Sequence, residues 1–190
     1  AAGGTGAFYE AVALFLILSS AAALGADVGL SRMVPRYRAL GRVRDLRRGL
    51  HIGLWPVLAA GVVAGVLAFV LAPELAEVFG RRDESGRLPE FIRTFALFVP
   101  VGALSLAVFA ATRGFGTMRP TVFIDKVARP ALQPLLVLVA ILAGAGSTAI
   151  ALAFVGPYLP ALVAGLLWMA LLLRRAERRH ADDVEPARPS

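Results

Sequence analysis

Asp125, Arg129 and Gln133 recur at i, i+4 and i+8. On a helix that spacing puts a carboxylate, a guanidinium and an amide on one stripe. Two readings of the stripe stay open. In one it holds an interfacial i,i+4 ion pair, worth a few tenths of a kcal/mol. In the other it walls a wet cavity whose arginines meet an anionic ligand, for which pyrophosphate is well suited because it accepts paired hydrogen bonds from guanidinium forks. Either way the stripe is costly toward lipid and is expected to face a bundle interior.

Other reactive constellations are missing from the sequence. There is no G-x-S-x-G, no H-E-x-x-H and no P-loop, and His51 and His180 lie on different segments without metal-ligand spacing. His180 belongs to a charged tail, and His51 stands beside a basic segment at the start of an apolar run. Zero cysteine removes thiolate nucleophiles, disulfides and Cys-ligated metals together. Asp27 and Asp125 stand singly, whereas an intramembrane phosphotransferase needs paired aspartates. The expectation is no enzyme, no metal and no cofactor.

The elements that must position the stripe follow from composition. Of 190 residues 58% are hydrophobic and 17% charged, with mean hydropathy +0.72. A soluble domain is roughly 45–50% apolar and about 25% charged, so an ordinary soluble fold is excluded. Crossing about 30 Å of hydrocarbon takes roughly 20 apolar residues in a helix. Five windows qualify, at about 7–26, 50–72, 91–112, 121–143 and 149–173, giving an all-α, polytopic membrane helix bundle over 1–173 and a charged tail or linker at 174–190. The window 50–72 carries no charge, and the last two are joined by the short break GAGST, so they should be antiparallel neighbours. Pro56, Pro100, Pro130, Pro134, Pro157 and Pro160 fall inside the windows; membrane helices tolerate such kinks. Gly61 and Gly65, with Gly102 and Ala103, offer close helix approach. Glu10 and Arg93 fall near helix ends, where a charged group can snorkel.

Loop charges give an orientation. Residues 27–49 hold seven arginines and two aspartates, net +5; 73–90 are net −2; 113–130 are net +3; 144–148 are uncharged; and the tail opens RRAERRH. The overall net charge of +7 therefore sits between apolar blocks and sets topology, and nucleic acid is not expected as a partner. Segments 27–49, 113–130 and 174–190 are expected on the cytoplasmic side, where Arg32, Arg36, Arg113 and Arg119 share the membrane level of the stripe and would form a basic vestibule with Arg129. Five crossings then put residue 1 outside. With no basic n-region or A-x-A site, the expectation is one further span before Ala1 and not a secretory signal.

The stretch GTGAFYEAVALFLILSSAAALGADVGLSRMVPRYRALGR (5–42), through Gly6, Tyr9, Asp27, Gly29, Leu30, Arg36 and Tyr37, resembles the second helix and following loop of bacterial oligosaccharide flippases. The block ATRGFGTMRPTVFIDKVARPALQPLLVLVAIL (111–142) is similar to their fourth-to-fifth helix junction, with its R-G-x-G turn. These carriers belong to the multidrug/oligosaccharidyl-lipid/polysaccharide exporter superfamily. The resemblance implies a partial six-helix lobe of a two-lobed transporter, here helices two to six, in the cytoplasmic membrane of a bacterium with a cytoplasmic C-terminus. It implies an undecaprenyl-pyrophosphate-linked glycan as substrate, the bilayer and a second lobe or subunit as partners, and alternating access as mechanism. Arg32, Arg36, Arg113 and Arg129 would meet the pyrophosphate, supported by Asp125, Gln133 and Asp27, the last orienting its loop. Two alternatives remain: a cation-coupled multidrug exporter of the same superfamily, which needs an acid deep in the lobe, and a small membrane subunit or assembly factor without transport of its own.

Overall fold

The computed structural model describes residues 2–23, 25–40, 43–80 and 86–184. Helix α1 (Ala2–Ala22) is a run of small and apolar residues that ends where Gly25 adopts φ 69°. That left-handed conformation suits a residue without Cβ, so the chain turns there and restarts as α2 (Ala26–Ala39). It returns through α3 (Val43–Val70), caps the far end with α4 (Ala72–Phe79), and descends through α5 (Leu88–Ala96) and α6 (Val99–Gly114). A π-helical segment, Thr121–Ala128, leads into α7 (Arg129–Leu142); Gly144, at φ 68°, turns the chain into α8 (Ser147–Val155) and then α9 (Tyr158–Val184). Among the described residues there is no β-strand.

Thr5–Ala22, Asp45–Val70 and Ser147–Arg178 are each long and apolar enough to cross a bilayer. The pair α5–α6, bent by 48°, makes a fourth crossing if it counts as one span. Pro100 stands in the first turn of α6, where its missing N–H and fixed φ favour a fresh helix start over continuation of α5. The expected fourth window, 121–143, is divided between the π segment and the 14 residues of α7. A 14-residue helix spans about 21 Å, short of the hydrocarbon by itself.

Helix α6 is the centre of the bundle, packed by α1, α2, α3 and α9. Glycines let these backbones close. A Cβ on Gly61 would lie 2.8 Å from Pro100 Cα, one on Gly65 2.7 Å from the Ala96 carbonyl oxygen, and one on Gly102 2.6 Å from Ser19 Oγ. One half of the core is aromatic, with Phe8, Phe15, Phe91, Phe95, Phe154 and Tyr158 in edge-on and tilted contacts. The other half is aliphatic, centred on Leu46, Val57, Ala103 and Ala107. The outside is apolar too: Val62, Val66, Leu135, Leu138, Leu167 and Leu171 are exposed. Apolar residues both within and around the bundle are what a lipid-facing helix set requires.

Candidate functional site

The two ends of the bundle differ in chemistry. At one end α2 lies on α3 and α6, because a Cβ on Gly53 would touch Leu30, one on Gly49 would touch Met33, and one on Gly114 would meet Val34. The same end carries the start of α3 and the charged stretch of α9, linked by Arg47 and Glu177 at 3.8 Å. At the opposite end, Ser147 and Thr148 at the start of α8 donate hydrogen bonds to the Glu90 carboxylate. The fold thus gathers the basic segments 27–49 and 113–130 and the charged stretch from Arg174 at a common end.

Helix α2 is two-sided. Leu30 and Val34 are buried against α3 and α6, while Arg32 and Arg36, one turn apart, look outward. They line an open groove of about 460 Å³ with Gly29, Met33, Tyr37 and Leu40. Among the described residues no carboxylate lines it. Arg113 is exposed in the last turn of α6, next to Gly114, which touches α2. Among the described residues Arg32, Arg36 and Arg113 pair with no carboxylate. Three guanidinium groups are therefore available on adjoining helices at the basic end. Asp27 lies in α2, but its side chain is outside the described residues, as are those of Arg38, Arg42 and Arg44. Tail residues 185–190 and the side chain of His180 are outside them as well.

The stripe on the fourth window has another geometry. In the π segment the backbone N–H of Arg129 donates to Ile124, five residues back. In that register the carbonyl of Asp125 would look to residue 130, and Pro130 has no N–H to give. The side chain of Arg129 takes over: Nη2 reaches the Asp125 carbonyl at 3.4 Å and Asp125 Oδ1 at 2.9 Å. Lys126 Nζ approaches the other carboxylate oxygen at 3.2 Å. The Arg129 guanidinium also sits 4.2 Å from the centre of the Tyr158 ring, while its Nε is buried without a hydrogen-bond partner. Gln133, one turn on, donates from Nε2 to the Phe154 carbonyl at 2.9 Å. That carbonyl belongs to the last turn of α8, whose terminal acceptors have no helical donors of their own.

Asp125, Arg129 and Gln133 thus share a face directed at the α8–α9 break. Arg129 is committed to Asp125 and Tyr158, whereas Arg32, Arg36 and Arg113 are open. The stripe and the basic groove are two sites. Tyr158 and the Phe154 carbonyl are members of the first that the sequence reading did not single out; the only available signal was Pro157 inside an apolar window. Among the described residues no group of three or more His, Asp or Glu is placed to hold a metal ion.

Residues 7–128 match the model of the MatE family. No curated protein and no solved structure matches the chain.

Proposed function

The chain belongs to the MatE family, membrane transporters of the multidrug/oligosaccharidyl-lipid/polysaccharide exporter superfamily, and from that premise we propose that it is part of a carrier flipping lipid-pyrophosphate-linked oligosaccharides for envelope polysaccharide synthesis. The observation that carries this reading is the pair Arg32 and Arg36 on an open groove that no carboxylate lines among the described residues, with Arg113 on the adjoining helix. A pyrophosphate has enough acceptor oxygens to take paired N–H donors from more than one guanidinium. The sugar would follow the headgroup while the polyprenyl tail stays in the bilayer, and a second lobe or subunit would complete the cavity and rock against this one. In this reading the basic end faces the cytoplasm of a bacterium, by the excess of arginine it carries.

A second reading, a cation-coupled multidrug exporter, has its own observation. Glu10 on α1 has a carboxylate oxygen, Oε2, buried without a hydrogen-bond partner. Such an acid is a place for a coupling cation.

The deciding experiment is export of lipid-linked glycan in cells carrying the full coding context, with Arg32→Gln plus Arg36→Gln and, separately, Arg113→Gln. The expected result is loss of export with normal membrane levels, and at least a tenfold loss of undecaprenyl pyrophosphate binding to the purified protein, since each charged hydrogen bond is worth about 1.5–3 kcal/mol. Unchanged export and binding in both variants would overturn the assignment.

A further inference from the structure

The geometry points to a second anion site, a groove between α3 and α9 that takes an anionic phospholipid from the bilayer by its headgroup. The groove, about 220 Å³, has Arg47, His51 and Arg174 at its rim and Leu54, Met169 and Leu173 along its floor. It shares no lining residue with the groove on α2, so it stands independently of the glycolipid reading.

Both helices change character at this level. The α3 sequence is charged through Arg48 and free of charge from Leu50 to Ala72, while the apolar run that α9 continues lasts to Leu173 and charge resumes at Arg174. Membrane helices place that boundary at the headgroup layer, where long basic side chains reach phosphates. Charge complementarity identifies the occupant. Among the described residues Arg47 pairs only with Glu177, through Nε at 3.8 Å, with 59% of its side chain exposed. Arg174 is exposed and, among the described residues, pairs with no carboxylate. Two guanidinium groups above an apolar floor match a molecule with a phosphate at one end and methylenes at the other. A free phosphate would engage the rim but leave Leu54 and Met169 uncovered. A zwitterionic lipid brings an ammonium that the arginines repel. An anionic phospholipid satisfies rim and floor together, as basic pockets between membrane helices do.

The chain has two tryptophans, and each neighbours the floor: Trp55 follows Leu54 and Trp168 precedes Met169. Both stand on the groove's own helices within one turn of it, so bromines on a lipid seated there add to the quenching that their exposed faces receive from the surrounding lipid. The full chain is placed in phosphatidylcholine nanodiscs containing a small fraction of brominated phosphatidylglycerol or, in parallel, brominated phosphatidylcholine. The phosphatidylglycerol should quench with an apparent affinity at least about fivefold higher, the increment for one basic residue near an anionic headgroup. Arg47→Gln with Arg174→Gln should remove the preference, Arg175→Gln on the same end should keep it, and Glu177→Gln should strengthen it by freeing Arg47. Equal quenching by the two lipids in the unaltered chain overturns the site without any variant. Equal loss in Arg175→Gln overturns a defined groove in favour of diffuse surface charge. Loss of the preference on adding inorganic phosphate, with sodium sulfate at matched ionic strength having no effect, shows a free anion as occupant and overturns the lipid.

Discussion

The Arg129 guanidinium lies 4.2 Å from the centre of the Tyr158 ring while one of its nitrogens holds Asp125 Oδ1 at 2.9 Å. One side chain thereby ties the π segment to the first residue of α9. Helix α7 buries no residue fully, so this contact and Gln133 add specific chemistry to the half-buried apolar packing of α7 on α8. Arg129→Gln leaves the Asp125 carboxylate, largely buried, without its main partner. Unfolding in mixed detergent should show a loss of roughly 2–4 kcal/mol, somewhat below the range for a fully buried pair because 16% of the Arg129 side chain is exposed. Tyr158→Leu removes the ring face toward Arg129 together with the hydroxyl and the edge-on contact with Phe15, so its cost should exceed the roughly 1–2 kcal/mol of the cation–π contact alone, whereas Tyr158→Phe keeps both ring contacts and most of the stability. Equal stability of Tyr158→Leu and the unaltered chain would show that the ring contact contributes nothing.

Gln133 covers the Phe154 carbonyl at the end of α8, just ahead of Pro157. Gln133→Leu keeps the side-chain volume and leaves that carbonyl unpaired at the break. Interhelical hydrogen bonds in membranes average about 0.6 kcal/mol and reach about 1.7, so the global loss should be small. The local effect should be larger. Amide exchange at Tyr158, Leu159, Ala161 and Leu162 should quicken in Gln133→Leu while exchange in α6 is unchanged; uniform acceleration through both helices would instead mean that the variant had loosened the whole bundle.

What the sequence disclosed was set by how local each signal is. Three apolar windows, and a fourth if the bent α5–α6 pair counts as one span, were legible because crossing a bilayer demands a long apolar run, whereas 121–143 breaks into a π segment and a short helix. The Gly61/Gly65 approach was legible because small residues four apart must share a helix face. The stripe of Asp125, Arg129 and Gln133 was legible as a stripe, but its partners were not. Tyr158 lies 29 residues on from Arg129, across a glycine-rich turn and a helix break, and the acceptor for Gln133 is a backbone carbonyl that no side chain marks. The π register escaped because a 3.6-residue periodicity has no place for it, although Pro130 stood where such a widening relieves a lost donor. Loop charge separated basic from acidic segments. Only the fold distinguished the committed Arg129 from the open Arg32, Arg36 and Arg113.

Glu90 binds the opposite end of the bundle together. Its carboxylate accepts hydrogen bonds from Ser147 and Thr148, at the first positions of α8, where a negative charge also meets the positive end of the helix. Glu90→Gln keeps an acceptor oxygen and loses the charge. Thermal unfolding of the detergent-solubilised chain at neutral pH should fall by a few degrees, and Ser147→Ala with Thr148→Val should produce a similar fall that is not additive with it. Additive losses would mean that the three side chains act separately.

Gly61 tests whether the α3–α6 approach limits the bundle. A Cβ at this position would stand 2.8 Å from Pro100 Cα, a backbone atom that cannot swing aside. Gly61→Val should therefore force the helices apart and cost about 1–3 kcal/mol, whereas Gly6→Val on α1, where a Cβ meets nothing within 4 Å, should cost far less. Measured by steric-trap unfolding in bicelles, comparable losses at the two glycines would show that β-branching in the helix, and not the contact with Pro100, sets the effect.

Glu10 separates stability from function. Its Oε2 is buried with no hydrogen-bond partner, and an unsatisfied buried polar atom costs about 1–3 kcal/mol, more when charged. Glu10→Gln removes the charge at nearly constant shape and should leave the folded chain as stable as before or more so. Transport assays of this variant then discriminate between the two carrier readings. Under lipid-linked oligosaccharide flipping through the arginine groove, export should persist in Glu10→Gln and fail in the Arg32→Gln/Arg36→Gln pair. Under cation-coupled drug export the order reverses: a stabilised Glu10→Gln protein that no longer transports would show that the chain retains a costly carboxylate because a cation must visit it.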